Sequence, residues 1–412
     1  MIMRISTTQI FLQGLNGVLA QQAETLKLQQ QLSSQKKIQS PADDPIGAAQ
    51  IELMMQRINL TENMEKNRES AVSEISYEES ILSNVINVIQ RLRELQVQSG
   101  NTALSEGDRE AMSEEAKNLL DQLVDLGNAQ DSNGYYLFSG SKTSTQPFTL
   151  NAGQYIYNGD QTQRSQIISS GLQIAVNDNG NDIFMRIPNG NGTFTVTQTS
   201  TPNTGTVAAT TGSVIDPAAY VVDNYTVNFV LNSLNQMVVM VTGASTGPII
   251  PSTGLPDDAP LYQDGGTINF NGVQVTFHGT PNAGDSFAVN PSRNESIFST
   301  AVRIVANLKQ SFSTAADKAA VETENNQLLE QLDSALNNIL AFRAQVGARL
   351  NQLDVAAQVN NDVLEISEET LHTVQDVNLA EAAVKLNLQQ VYLQAAQQSF
   401  ARIQGLTVFN YI

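Results

Sequence analysis

The residues that could do chemistry are few. The chain has two histidines, His278 and His372, and no cysteine. Without thiolates there is no disulfide, no thiol nucleophile and no thiolate zinc site. A metal site would need both imidazoles with carboxylates, or carboxylates alone. His278 falls in a predicted strand and His372 in a predicted helix, and both read as structural or surface imidazoles. Paired acids stand at Asp43-Asp44, Glu78-Glu79 and Asp257-Asp258. Glycoside hydrolysis needs two carboxylates at a set distance across a cleft, which adjacent residues do not supply. The pairs read instead as a helix cap (Asp43-Asp44) and as solvated helix or loop surface. Asp178-Asn-Gly-Asn-Asp182 lacks the ligand spacing and closing Glu of a calcium loop and is expected to be a hairpin turn. Gly190-Asn-Gly192 has no third glycine for a dinucleotide loop, no Walker lysine motif occurs, and the segment reads as a turn. The expectation is a protein with no catalytic residue, no metal and no cofactor, whose function lies in its surfaces.

The whole chain points the same way. Its 412 residues suffice for two or three domains of ~150 residues each. Charged residues make up 15%, and 22 Lys+Arg against 41 Asp+Glu give a net charge of −19. Nucleic acid and anionic lipid repel such a chain, so neither is expected as a partner. No apolar run approaches the ~20 residues of a membrane helix. The first residues have no continuous apolar core and no small-residue cleavage site, so no cleaved secretory signal is expected.

Helix breakers divide the sequence into three blocks. Ala48 to Ser99 contains neither Gly nor Pro, and Ser292 to Gln404 contains only Gly347. Ten of the twelve prolines lie between Tyr135 and Pro291, a stretch without Glu. The plan is helical, then β, then helical. Asp44-Pro45 offers an N-cap and a first-turn proline, and Ser105-x-x-Asp108 resembles a capping box. In the middle block, Tyr155–Tyr157, 166–169, 193–197, 225–231, 236–241, 267–270 and 273–277 are predicted strands. Asn271-Gly272 is a hairpin signal. Segments 200–213 and 248–260 are expected to be loops. The helical blocks that flank the β region must lie side by side, with the β region as an insertion between them.

Heptad-like spacing marks the helical blocks as packed seams. Ile75, Leu82, Val85, Ile89 and Leu92 keep one phase, interrupted by Glu78; Met112, Ala116, Leu119, Leu123 and Leu126 keep another. The longest run, Leu332, Leu336, Ile339, Arg343, Val346, Leu350, Leu353 and Ala357, predicts the seam of a long helical rod. Apolar stripes also occur at both chain ends: Leu12, Leu15, Leu19, Leu26 and Leu32, then Val384, Leu386, Leu388, Val391, Leu393 and Phe400. Their flanks are glutamines rather than charges. Such stripes suit burial against neighbouring subunits, and these residues are the candidate assembly interface.

Several motifs carry a family resemblance. Met3-Arg-Ile-Ser-Thr-Thr-Gln-Ile-Phe11 resembles the start of the hook-associated protein 3 family, the hook–filament junction branch of the flagellin superfamily. Leu32-Ser-Ser-Gln-Lys-Lys-Ile-Gln-Ser-Pro-Ala-Asp-Asp-Pro-Ile-Gly-Ala-Ala49 is similar to the turn after the flagellin N-terminal helix, with Gln35 where that family commonly has Gly. Tyr136-Leu-Phe-Ser-Gly140 and Thr145-Gln-Pro-Phe148 resemble the junction family's entry into its β region, and Gly279–Phe287 its exit. Val346–Asp354, Asp376–Ala382 and Gln394–Ala396 look like successive parts of the flagellin C-terminal region. Residues of about 190 to 275 carry no such motif.

The resemblance implies an α+β multidomain, flagellin-like fold: a long antiparallel helical rod from the N- and C-terminal segments, with an inserted all-β domain. Its implied parts are residues 1–42 with 372–412 as an assembly domain disordered in the monomer, 43–190 with 276–371 as the rod, and 191–275 as the inserted β domain. The implied function is a structural adapter of the bacterial flagellum, exported by the flagellar type III apparatus to the hook–filament junction. The implied partners are hook-associated protein 1, flagellin, further copies of the chain, and an export chaperone on the C-terminal helix. The rival reading within the superfamily is a flagellin filament subunit. A reading from another class, an enzyme or sugar-binding module within 190–275, finds no convergent polar site in the sequence.

Overall fold

The structure, a computed structural model, describes residues 7–101, 104–199, 201–310 and 313–405. Six α-helices lie among them: α1 (Thr7–Ser34), α2 (Pro45–Ser99), α3 (Glu106–Gly127), α4 (Ile297–Lys309), α5 (Ala315–Gln375) and α6 (Leu379–Gly405). The named strands all fall between α3 and α4. Long helices toward both termini and a β-rich middle are the order that the segregation of Gly and Pro requires. The start of the Met3–Phe11 motif lies outside the described residues.

Local chemistry sets the helix boundaries. Asp44 Oδ1 accepts the N–H groups of Ile46 and Gly47 at 3.1 and 3.0 Å, and Pro45 occupies a first-turn position that needs no N–H partner. Ser105 and Asp108 form the reciprocal capping box at the start of α3. After α1, Gln35 adopts φ 60°, a left-handed conformation that glycine takes without strain. There the chain makes a short antiparallel bridge: Lys37 N–H donates to Gln375 O at 2.6 Å, and Val377 N–H donates to Gln35 O at 2.9 Å.

The described chain forms two compact units. One holds residues 7–67, 168–171 and 355–405; the other holds 68–167 and 172–354. In the second unit, α2 buries Ala71, Ile75, Glu78, Leu82, Val85, Ile89 and Leu92, and α5 buries Leu328, Leu332, Ala335, Ile339, Val346 and Leu353. These helices run antiparallel, with Arg93 on Asp333 at 2.6 Å and Arg343 on Glu79 at 3.0 Å. α3 packs on α4, where buried Arg109 donates to Ser99 O and Asn307 O. Phe138, Phe148, Phe184 and Phe298 stack nearby with ring centroids 4.8–5.8 Å apart.

The β block has its own core. One sheet orders Gly247–Ile250, Met237–Gly243, Tyr225–Leu231, Ser286–Pro291 and Phe194–Gln198. The other pairs Val273–His278 with Thr267–Phe270, Ala208–Ala209 and Ser213–Val214. Both contribute to a single apolar cluster that includes Phe194, Tyr225, Phe229, Phe277 and Phe287. Asn271-Gly272 makes the expected two-residue hairpin, with φ of 42° and 77° and Phe270 opposite Val273. The segments expected to be loops contain short strands at 208–209, 213–214 and 247–250, and a 3-10 turn at Pro256–Asp258. Their pairing with longer strands outweighs their weak local propensity. The block's two chain ends meet: Ile187-Pro188 pairs with Asn294-Glu295, and Asn189 N–H donates to Arg293 O at 2.9 Å.

Candidate assembly interface

α1 and α6 contain few charges (Glu24 and Lys27; Glu381, Lys385 and Arg402), no proline and many good helix formers. They pack against each other in antiparallel fashion. Phe11 and Phe400 approach to 5.2 Å between ring centroids, Gln389 donates to the Gln21 side chain, and Lys36 pairs with Asp376. The facing residues are buried or half-buried: Gly14, Val18, Gln21, Thr25, Leu28 and Leu32 on α1, and Ala382, Leu386, Gln389, Leu393, Ala396 and Phe400 on α6. Both sets step by 4, 3, 4, 3, 4, the spacing of a coiled-coil seam. The close approach needs Gly14, because a Cβ there would sit 2.9 Å from the Phe400 ring.

The structure sorts the terminal stripes into two groups. Leu15, Leu32, Leu386, Leu393 and Phe400 are half-buried along the helix pair, whereas Leu12, Leu19, Leu26, Val384, Leu388 and Val391 are exposed. Each end covers the other along one face. The exposed leucines of α1 recur every seven residues at 51–53% exposure. The same unit repeats the pattern with Ile46, Leu53 and Leu60 on α2 and Val355, Val359 and Ile366 on α5, all exposed. Its buried apolar side chains among the described residues are only Leu28, Ile38, Ile51, Ile168, Ala356 and Ala382. Exposed apolar stripes therefore outnumber what this unit buries by itself, the signature of a surface made to be covered.

Of the predicted rod-seam residues, Leu332, Ile339, Val346 and Leu353 are fully buried, while Leu336 and Leu350 are half-buried. The alternate positions on the buried face of α5 belong to Ala335, Phe342, Arg349 and Ala356, which are buried or half-buried. On α3, Leu120 and Gly127 are buried, one residue along from Leu119 and Leu126.

Arg349 sits in that seam for an electrostatic reason that sequence reading missed. It donates to both carboxylate oxygens of Asp178 at 2.7 and 2.5 Å, and Gln163 donates to Asp178 at 2.7 Å. The Asp178 N–H donates to Glu78 Oε1 at 3.3 Å, and Glu78 Oε2 has no donor. Glu78 and Asp178 are essentially inaccessible to solvent. Burial, and then the Asp178 charge, push the Glu78 carboxyl up to about 8, against the opposing pull of Arg349. Two expectations are corrected. Glu78 is not solvated surface, and Asp178–Asp182 is not a hairpin turn: it leads into one π-helical turn, Asn181–Met185, with Asp178 turned inward. The one sequence signal was Glu78 breaking the α2 phase.

Other chemistry-bearing residues do not converge. His278 and His372 are exposed, and His372 Nδ1 lies 2.7 Å from Asp376 Oδ2. Among the described residues, no three His, Asp or Glu side chains are grouped to hold a metal ion. Gly243-Ala-Ser-Thr-Gly247 carries the letters of a Gly-x-Ser-x-Gly elbow, but it turns between two antiparallel strands rather than from strand to helix. The Asp223 carboxylate accepts the N–H groups of Ser245 and Thr246 there. No helix among the described residues is long and apolar enough to cross a membrane.

Comparison with known proteins agrees with this geometry. Residues 5–143 match the bacterial flagellin N-terminal helical region, and residues 329–412 match the C-terminal helical region. The crystal structure of flagellar hook-associated protein 3 from Legionella pneumophila is 54% identical, covers 79% of this chain and 98% of its own, and superposes with a TM-score of 0.77. Flagellar hook-associated protein 3 of Escherichia coli K12 is 25% identical over 99% of each chain. Flagellin of Bacillus subtilis is 31% identical over 141 residues, covering 34% of this chain and 46% of its own.

Proposed function

The chain belongs to the flagellar hook-associated protein 3 family, and from that membership we propose how its surfaces are used. It is a structural component of the bacterial flagellum at the hook–filament junction. Its neighbours there are hook-associated protein 1 toward the hook, flagellin toward the filament, and further copies of itself. The protein does no catalysis; its work is to hold two lattices together.

The observation that carries the interface is the two-faced terminal helix pair. α1 and α6 turn a seam of mixed apolar, small and amide side chains toward each other and leave Leu12, Leu19, Leu26, Val384, Leu388 and Val391 outward. Residues 1–42 with 372–412 form the assembly domain, disordered in the free subunit and ordered when neighbours cover the outer stripes. The expected boundary at 275 would divide the β core, which takes in Phe277, Phe287 and Val289, so the outward β domain is residues 190–292 and the tube wall is packed by 43–189 with 293–371. The chain reaches its place by flagellar type III export, and an export chaperone covers α6 beforehand.

Immunogold labelling of intact flagella with antibody to this chain should mark one narrow band at the distal end of the hook. Labelling along the filament would refute the junction reading in favour of a filament subunit.

A further inference from the structure

We propose that the Gln21–Gln389 amide pair is the positioning device of the terminal helix pair: it sets the register of α6 against α1. The inference rests on the reading above, in which α1 and α6 are paired in the assembled subunit.

Hydrophobicity alone does not select the observed arrangement. Leu12, Leu15, Leu19 and Leu26 offer a more apolar face of α1 than the seam residues Gly14, Val18, Gln21 and Thr25. Yet three of those four leucines lie outward and about half exposed. Register is equally underdetermined, because both seams repeat every seven residues. Sliding α6 by one heptad still sets apolar or small residues opposite one another at most levels.

The amides break this degeneracy. In the observed register, Gln389 Nε2 donates to Gln21 Oε1 and lies 3.5 Å from Gln21 O. The Thr25 hydroxyl donates to the same Gln21 carbonyl at 2.8 Å, so its polar group is also satisfied locally. Slide α6 one heptad in one direction, and Gln21 faces Ala396 while Gln389 faces Leu28. Slide it the other way, and they face Ala382 and Gly14. Turning α1 to bring its leucines inward would set Gln22 at the level of Gln389, so the amides discriminate against a slide rather than a turn. Each slide leaves two half-buried amides without protein partners, and each lost partner disfavours that arrangement by roughly tenfold. A single polar position in a coiled-coil seam is known to fix register at some cost in stability. The Gly14 notch filled by Phe400 supports the same register from the far end of the pair.

The chain has no cysteine, so introduced pairs report without background. Three reporters are built in the full-length chain and assayed in sheared flagella with a short bifunctional maleimide. Thr25→Cys with Leu386→Cys reads the observed register, Thr25→Cys with Leu393→Cys reads a one-heptad slide, and Leu26→Cys with Leu386→Cys reads the turned face. In the otherwise unaltered chain, the first product should exceed the other two at least tenfold. In Gln21→Leu/Gln389→Leu, the first two should come within about threefold of each other, although the added leucines strengthen the seam. Gln21→Glu/Gln389→Lys should restore the tenfold preference. A merely structural amide pair would alter thermal stability without altering these ratios. If the leucine variant keeps the tenfold preference, the proposal is overturned while the pairing stands. If the unaltered chain yields no first product, the pairing itself fails, and the proposal with it.

Discussion

Replacing Glu78 with Gln tests the least expected feature of the structure, a carboxyl buried in an apolar heptad seam. Glu78 accepts one hydrogen bond, from the Asp178 N–H, and its second oxygen lies without a donor near a carboxylate already bound by Arg349. Burial without a donor, beside the Asp178 charge, favours the neutral carboxyl, so Glu78 holds a proton. Its folded value of about 8 lies well above the ordinary 4.5. The folded chain therefore binds one more proton than the unfolded chain between those values. The stabilising contribution of that proton is complete below about pH 4.5 and is lost as pH rises toward 8. At about 1.4 kcal/mol per unit, the full span corresponds to about 5 kcal/mol. Glu78→Gln keeps the shape, supplies N–H donors where the proton sat, and does not titrate. Urea unfolding at pH 5 and pH 8, followed by circular dichroism, should show parent stability falling with pH by several kcal/mol more than that of Glu78→Gln, with the variant the more stable at pH 8. Identical slopes for parent and Glu78→Gln would mean that Glu78 is ionised in the folded chain, and would refute the protonated seam.

On α5, Leu353→Ala should cost about 2–5 kcal/mol, because Leu353 is fully buried, whereas half-buried Leu350→Ala should cost less than about 2 kcal/mol; the reverse order of unfolding midpoints would misplace the seam. Replacing residues 190–292 with a two-residue turn should leave a soluble helical protein with a cooperative melt, because Asn189 and Arg293 are already hydrogen-bonded neighbours. Cutting at 275 instead would strand Phe277, Phe287 and Val289, all buried in the β core, and should produce aggregation on size-exclusion chromatography. Leu388→Asp charges an exposed stripe and should change thermal stability by less than about 0.5 kcal/mol, yet give cells with hooks, flagellin in the medium and no filaments; normal swimming with full-length filaments would remove α6 from the assembly interface.

The sequence disclosed most where one physical rule acted alone. Asp44-Pro45, Ser105 with Asp108, and Asn271-Gly272 each specify a backbone event within a few residues, and each is found at that place. The order of helical and β blocks was likewise legible from the segregation of Gly and Pro. Legibility failed where long-range partners decide. Ala208–Ala209 is a strand only because Val273–His278 lies beside it, and no local propensity announces that. On α5 the apolar spacing could not point to Arg349, which is held in the seam by an aspartate 171 residues away. At the chain ends, leucine spacing marked the helices, but could not say which face meets the other helix of the same chain.

That last ambiguity follows from packing geometry. A seam lined by Gly14, Ala382 and Ala396 lets two helices approach closely, and close approach offsets a low leucine count through contact along the backbone. The leucine faces then remain for other chains. Leu12, Leu19, Leu26, Ile46, Leu53, Leu60, Val384, Leu388 and Val391 are each 49–74% exposed. Burying the exposed half of such a side chain contributes on the order of 1 kcal/mol, so these nine offer roughly 10 kcal/mol to neighbours. That is the size of a whole domain's net stability. In the assembly proposed above, a unit that buries so little within itself gains most of its order from its neighbours, so ordering of the terminal helices and entry into the lattice are coupled steps. Register matters for the same reason, since a slipped or turned seam would present the same leucines out of line with the neighbours' stripes, and the gain from covering them would be lost.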